Sequence, residues 1–295
     1  MLVSELRTRF KEEGITPSLV ADFEQHVMAF YEAKGRHDME WRHTNDPYRI
    51  VVSEVMLQQT QVPRVATMYP KFIEEFPDIY ALAKADQAEL LAAWQGMGYN
   101  RRALNLRKLA NVIVDEFGGK IPDDPAVLKT LPGIGPATSC SIAAFAFDRP
   151  VVFIETNIRR VFIHYFFDDG VTVDDQELLP LVTAMLPTNS RKWYWALMDL
   201  GTALKTSVKN PNQRSRHYTK QKAFAGSDRE IRGGVLKRML EQKSGSPEVY
   251  AKEMNEDAER VRGIMDKMVG EGFFVRESED EYRLSGVGRD GDNGS

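Results

Sequence analysis

The sequence predicts a mainly α-helical protein that ends in a small unit of three helices and a hairpin. Three observations carry this. Apolar residues recur at spacings of three and four through most of the chain, and few segments alternate with period two. Helix-start signals such as Asp46–Pro47 precede several of these stretches. Near the end, "FFVRESEDEYRLSG" alternates like two short strands around a turn.

The elements follow in order. "DPYRIVVSEVMLQQ" opens with Asp46 as N-cap and Pro47 in the first turn, and reads as a helix through Gln59. "ADQAELLAAWQ" and "RRALNLRKLANVIVDEF" are two further helices joined by the turn "GMGYN". "PAVLKTL" and "PATSCSIAAFAF" are another pair, joined by "PGIG". Ile158, Val161, Phe162 and Tyr165 fall at i, i+3, i+4 and i+7, an amphipathic helix. "DQELLPLVTAML" and "RKWYWALMDLGTAL" continue the pattern. The segment 205–222 carries Lys205, Lys209, Arg214, Arg216, Lys220 and Lys222 and no acid, and reads as a basic loop. After it come "SDREIRGGVLKRMLEQ", "SPEVYAKEMN" and "DAERVRGIMDKMVGEG", three helices that with the hairpin predict a winged-helix-like domain over 223–286. The stretch 287–295, "GVGRDGDNGS" in its wider frame, is expected to be a disordered tail.

Composition narrows the function classes. The chain has 295 residues, 42% hydrophobic and 28% charged, enough for one large or two smaller domains. No apolar run approaches the roughly 20 residues that span a bilayer. The start, "MLVSELRTRFKEEG", lacks the apolar stretch of a signal peptide. These features predict a cytoplasmic protein, or a nuclear one in a eukaryotic source. Cys140 is the one cysteine, which excludes a disulfide framework and any multi-cysteine metal site within the chain. The five histidines show no metal-ligand spacing. The net charge of −4 does not advertise nucleic-acid binding, so local charge matters more than the average.

Three features point to chemistry. "LPGIGPATS" places glycines 133 and 135 at a turn between two helices, where a second backbone can approach closely. The amides that open the second helix attract anions, phosphate above all. A bare "GIG" is as often an ordinary turn; the flanking "LP" and the small residues that follow favour a DNA-gripping hairpin. Glu54 shares a helix face with Ile50 and Leu57, and a carboxyl on an apolar face holds its proton toward neutral pH. A lone glutamate is more often simply solvated. Glu155 follows the apolar run Val151–Ile154 and precedes an amphipathic helix. It is either an acid that complements the helix dipole or a catalytic carboxylate, and Thr156 or Asn157 would be the better N-cap. A proton-holding carboxyl and an ionised one are the pair that glycosidic hydrolysis needs.

The segments "WRHTNDPYRIVVSEVMLQQTQVPRV", "LLAAWQGMGYNRRALNL", "LPGIGPAT", "ETNIRRVF" and "ALMDLG" resemble, in order and spacing, the helix-hairpin-helix (HhH-GPD) DNA glycosylases. They look most like the MutY-type adenine-DNA glycosylases, over about residues 23–204. The resemblance implies a fold of two helical lobes, here within a glycosylase domain over 1–222. It implies that Glu54 protonates a flipped adenine, that position 155 carries the carboxylate that stabilises the sugar cation, and that Asn157 is a polar neighbour. Gln58, Gln59, Tyr99 and Arg101 become DNA contacts, with Gln58 and Tyr99 wedged into the duplex. Leu131, Gly133, Ile134 and Gly135 grip the backbone, with a monovalent cation on the Leu131 and Gly133 carbonyls. The implied partner is double-stranded DNA with a mispaired or damaged base, bound by a monomer without membrane association.

The sequence departs from the family pattern in three places. Position 155 is Glu where the family has Asp. The four cysteines of a [4Fe–4S] cluster are absent, so no cofactor is expected, and the basic loop is expected to take over the cluster loop's phosphate contacts, Lys205, Lys209, Arg214, Arg216, Lys220 and Lys222 among them. The family's C-terminal domain, which reads 8-oxoguanine, is replaced by the winged-helix-like unit, whose acidic stretches also suit protein docking. Ala137 stands where strand-cleaving relatives carry a nucleophilic lysine, so a monofunctional glycosylase is expected. The competing readings are a thymine or uracil mismatch glycosylase and a catalytically impaired lesion-binding protein.

Overall fold

The computed structural model describes residues 3–220 and 223–286. In chain order the first helices are α1 (Val3–Glu13), α2 (Pro17–Lys34), α3 (Pro47–Leu57), α4 (Val62–Glu75) and α5 (Ile79–Lys84). Next come α6 (Gln87–Ala93), α7 (Arg101–Phe117), α8 (Pro125–Leu128), α9 (Pro136–Phe147) and α10 (Thr156–Phe166). The last are α11 (Asp175–Ala184), α12 (Ser190–Ser207), α13 (Asp228–Gln242), α14 (Pro247–Met254) and α15 (Ala258–Gly270). Three short strands complete the described chain: β1 (Ser244–Gly245), β2 (Phe274–Arg276) and β3 (Tyr282–Leu284). The mainly helical class expected from the periodicity is what the structure shows. No helix among the described residues is long and apolar enough to cross a membrane.

The contacts divide the described chain into two units. Unit 1 runs to Glu54 and resumes at Pro122–Lys220. Unit 2 is Val55–Ile121 with the described residues beyond Lys220, 223–286. The C-terminal helices therefore share a unit with α4–α7 rather than standing alone. Lys222 and the expected tail at 287–295 lie outside the described residues.

Unit 1 is built on α10, which packs on α12, α1 and α11, while α12 also packs on α2. The amphipathic face read from the sequence forms this core: Ile158, Val161, Phe162 and Tyr165 are all buried. Phe23 of α2 meets Phe166 with ring centroids 4.9 Å apart and Phe162 at 5.6 Å. Burying one such ring contributes about 2–3 kcal/mol. Asp199 of α12 is buried at 3% exposure and holds two arginines. Its carboxylate oxygens accept from Arg42 at 2.8 and 2.9 Å, from the Arg36 amide at 2.8 Å and from Arg36 Nε at 2.7 Å. These partners hold its pKa below the usual carboxylate range against the opposing effect of burial.

In unit 2, α5 and α6 pack on α7, and Trp94 is buried edge-on to Phe72 at 5.6 Å. Asp78 and Asp86 cap α5 and α6 through their side chains, and Gly118 closes α7 in the left-handed conformation. The expected hairpin is β2 and β3, with Val275 opposite Arg283. The sequence did not suggest β1, a two-residue strand that pairs with β3 and makes an antiparallel sheet of order β1-β3-β2. Gln87 of α6 donates to the Gly272 carbonyl at 2.8 Å, which ties the C-terminal helices to the earlier part of the unit.

The Asp199 cluster gives a stability test. Asp199→Ala leaves Arg42 and Arg36 without their shared counter-charge in a buried setting, so it should cost about 3–5 kcal/mol. Urea unfolding of the two proteins would measure the difference, and a loss below about 1 kcal/mol would contradict this account.

Candidate active site

Glu54 ends unit 1's share of α3. Asp46 starts the helix as expected, its Oδ1 accepting the Tyr48 amide at 2.9 Å. Ile50, Val51, Val52 and Val55 are buried around Glu54, which keeps only a partly exposed edge. Dense packing around the carboxyl raises its pKa to about 7, from 4.5 for an exposed glutamate; desolvation is the main cause. The Ser141 hydrogen bond opposes this, the charge of Glu155 adds to it, and Arg42 opposes it more weakly. Ser141 Oγ lies 2.5 Å from Glu54 Oε2 and 3.0 Å from the Thr138 carbonyl. The hydroxyl can donate to an ionised Glu54, or turn to Thr138 when Glu54 holds the proton. Ser141 went unnoticed in the sequence because it lies 87 residues away.

Glu155 caps α10, which corrects the expectation that Thr156 or Asn157 would do so. Glu155 Oε1 accepts the amides of Asn157 at 2.6 Å and Ile158 at 3.0 Å. The longer side chain folds back onto two N–H groups that the helix start leaves open, a role usually filled by shorter residues. Burial raises the pKa of Glu155, while the two amides, Arg160 and Arg159 pull it down. Asn157 Nδ2 faces Glu155 Oε2 at 3.4 Å, and Asn157 Oδ1 accepts from Arg160 at 2.8 Å. Arg160 is buried at 4% exposure and also donates to the Gly201 carbonyl at 2.6 Å and to Asn210 Oδ1 at 3.1 Å. A Cβ at Gly201 would stand 2.5 Å from the Asn157 carbonyl oxygen. The glycine of "MDLG" is thus what lets α12 lie against the start of α10.

The hairpin joins α8 to α9. Leu131 and Ile134 are buried, and the Leu131 carbonyl accepts the Ile134 amide at 3.1 Å. Gly133 has φ +80, the turn conformation expected of glycine. Gly135 does not: it is extended at φ −89 and precedes Pro136 as the cap of α9, with nothing within 4 Å of a built Cβ. Its value is therefore the open approach to the α9 amides. Pro136 and Ala137 are exposed there.

The basic segment is divided in its roles. Lys205, Lys209 and Lys220 are exposed, and the Arg216 side chain is 66% exposed beside Asp174. Arg214 points inward instead. It donates to the carbonyls of Ile163 at 2.9 Å, Phe167 at 3.1 Å and Asp168, closing the C-terminal end of α10. Asn212 Nδ2 donates to the Thr156 carbonyl at 2.8 Å. The segment thus braces both ends of the helix that carries Glu155, and Arg214 has a structural use the charge pattern did not reveal. A [4Fe–4S] cluster does not fit here: it needs several thiolates, and Cys140 lies on α9.

Unit 2 carries Gln58, Gln59, Tyr99 and Arg101. The helix read through Gln59 ends at Leu57, because Gln59 turns left-handed at φ +56. Tyr99 is also left-handed, at φ +48. Each non-glycine residue in this region costs about 1–2 kcal/mol. Arg102 holds both turns. Its Nη1 donates to the carbonyls of Val55, Met56 and Gln58 at 2.7, 2.8 and 2.6 Å. Its Nη2 donates to Thr60 Oγ1 and Gly98 O at 2.9 Å each. Burial lowers the Arg102 pKa to about 10, so it stays charged at neutral pH. Gln59 is exposed, and the Arg101 side chain is 64% exposed with Glu271 at 3.6 Å.

Residues 52–179 match the HhH-GPD superfamily of base excision DNA repair proteins. An adenine DNA glycosylase of Mycolicibacterium smegmatis is 32% identical over 90% of this chain and 97% of its own. One from Mycobacterium tuberculosis is 31% identical over 89% and 93%. A thymine/uracil-DNA glycosylase of Methanothermobacter thermautotrophicus is 28% identical over 60% of this chain and 82% of its own. Among solved structures, a thermostable thymine-DNA glycosylase superposes with TM-score 0.57 at 25% identity, over 66% of this chain and 91% of that one. An endonuclease III–DNA complex, at TM-score 0.51 and 20% identity over 62% and 85%, shares the fold. The chain belongs to the HhH-GPD superfamily and is a DNA glycosylase of base excision repair. Within that superfamily it is similar to proteins named adenine DNA glycosylase.

Glu54 gives a pH test. Its folded-state pKa of about 7 lies above that of the unfolded chain, so between roughly 4.5 and 7 the folded protein keeps a proton the unfolded chain has lost. Stability from this group is full below about 4.5 and is lost as pH rises through 7. Glu54→Gln should therefore stabilise the protein at pH 8 more than at pH 5, by up to roughly 3 kcal/mol. Urea unfolding at both pH values checks this; an equal effect at the two would contradict it.

Proposed function

We propose that this protein is a monofunctional adenine-DNA glycosylase that hydrolyses the N-glycosidic bond of an adenine flipped from a mispair with guanine or 8-oxoguanine. The observation that carries the reading is Glu54, held at a pKa of about 7 beside a second carboxylate that caps α10. A base inside the duplex stack is out of reach, so the nucleotide turns outward before cleavage. Glu54 gives its proton to a ring nitrogen of the adenine, which leaves with the electron pair of the C1′–N bond. The sugar cation that forms is stabilised by the Glu155 carboxylate. Water adds at C1′ and returns its proton to Glu54, leaving free adenine and an abasic site. Asn157 and Arg160 hold Glu155 in place. Ala137 offers no amine, so no Schiff base forms and the strand stays intact.

In this reading the protein acts as a monomer on double-stranded DNA. The α9 amides behind Leu131–Gly135 take a backbone phosphate. The Leu131 and Gly133 carbonyls supply oxygens of the kind a monovalent cation takes, and such an ion would add positive charge at the hairpin. Gln58 and Tyr99, with Gln59 and Arg101 beside them, enter the duplex. No iron–sulfur cluster takes part, and the exposed lysines of the basic segment contribute phosphate contacts in its place. Replacing Lys205, Lys209 and Lys220 with Gln together should reduce the slope of log Kd against log salt by about 2–3. Titration of duplex binding from 50 to 200 mM salt measures the slope, and an unchanged slope would remove these lysines from the interface.

A second reading, a thymine or uracil mismatch glycosylase, draws on the Methanothermobacter relative and the thymine-DNA glycosylase structure. Single-turnover base release separates the two. Duplexes carrying adenine opposite 8-oxoguanine, guanine, cytosine or thymine are compared with thymine and uracil opposite guanine. The expected result is release of adenine, reduced at least 10²-fold in both Glu54→Gln and Glu155→Ala, without covalent trapping by borohydride. Release of a pyrimidine instead establishes the second reading. Tight mispair binding without any release points to a lesion-binding protein that has lost catalysis.

A further inference from the structure

The C-terminal helices reach the residue expected to probe the duplex. Arg229, in the first turn of α13, donates from Nη1 to the Tyr99 hydroxyl at 2.7 Å. Its guanidinium also sits 5.7 Å from the Tyr99 ring centroid and 5.9 Å from that of Phe224. Phe224 is 60% exposed, more than any other large apolar side chain among the described residues. Arg102 faces Tyr99 too, at 5.7 Å from the ring centroid. Tyr99 therefore has two arginines near its ring, one three residues on and one from 130 residues further along the chain. The same region is pinned at other points: Arg232 of α13 pairs with Glu271, which also faces Arg101 at 3.6 Å. Gln87 bonds the Gly272 carbonyl at 2.8 Å.

A tyrosine in a left-handed turn has a ring direction that its own backbone alone fixes poorly. A hydrogen bond at the hydroxyl tip and a cation near the ring fix it from outside. A guanidinium does both at once, because its fork donates while its plane lies against aromatic rings. The Arg229 charge also suits a position beside DNA.

We propose that Arg229 is a positioning residue for Tyr99, and that through it the C-terminal helices take part in probing the duplex. Phe224 adds a second aromatic ring near the Arg229 guanidinium, at 5.9 Å. This rests on the glycosylase reading above, in which Tyr99 meets the duplex.

The test is a double-mutant cycle on the full-length protein. Arg229→Ala, Tyr99→Phe, the pair together, and Arg229→Lys are compared with wild type. The readouts are Kd for a duplex with an adenine·8-oxoguanine mispair, Kd for the same duplex fully matched, and the melting temperature. Arg229→Ala should reduce the preference for the mispaired duplex about tenfold. Tyr99→Phe, which keeps the ring but removes the acceptor, should reduce it similarly, and the pair together no further than either alone. Arg229→Lys should recover part of the preference, since the ammonium still donates. A purely structural arginine would lower the melting temperature and leave the preference intact, which would overturn the proposal. Two losses that multiply would also overturn it. A wild-type protein with no mispair preference would instead overturn the glycosylase reading and this inference with it.

Discussion

A carboxyl group that has to be kept away from water organises this protein. Glu54 lies among Ile50, Val51, Val52 and Val55, where an ionised carboxylate is poorly solvated. Among the described residues no salt bridge reaches it, and only an edge of it is exposed. The protein supplies one hydroxyl, from Ser141, and keeps the Arg42 guanidinium bound to Asp199. Full pairing with Arg42 would hold Glu54 ionised and remove its ability to carry a proton at neutral pH. Arg42, held by Asp199, lowers the Glu54 pKa only weakly against the desolvation that raises it to about 7.

The second carboxylate is governed by a different constraint, the open amides at a helix start. Glu155 takes two of them, and this fixes its position more firmly than its length alone would allow. The helix it caps is then braced along its whole length. Gly201 lets α12 approach the Asn157 backbone, Arg160 joins Asn157 to Asn210, and Asn212 and Arg214 bind carbonyls near the two ends. The 208–216 stretch ties the chain after α12 back to α10 through side-chain amides and a guanidinium.

In unit 2 the same economy appears around Arg102. The last turn of α3 leaves carbonyls without helical partners, and the two left-handed residues Gln59 and Tyr99 carry backbone strain. One buried guanidinium answers both demands, bonding carbonyls on each turn. Gln59 and Tyr99 are therefore set by a buried group that does not itself face outward.

The sequence by itself determined the helical class and most of the helices. Periodicity is a local property, so α7 and α9 were legible to the residue, as was the start of α3 at Asp46 and Pro47. The chemistry of Glu54 was legible in kind, because apolar neighbours at i−4 and i+3 already imply desolvation. The tertiary structure decided what depends on groups far apart in the chain. Ser141 meets Glu54 across 87 residues, Arg229 meets Tyr99 across 130, and neither spacing leaves a periodic trace. It also decided that Glu155 caps its own helix and that Arg214 turns inward. Charge and propensity describe what a side chain prefers on average; which carbonyls and amides stand within reach is fixed only when the helices pack.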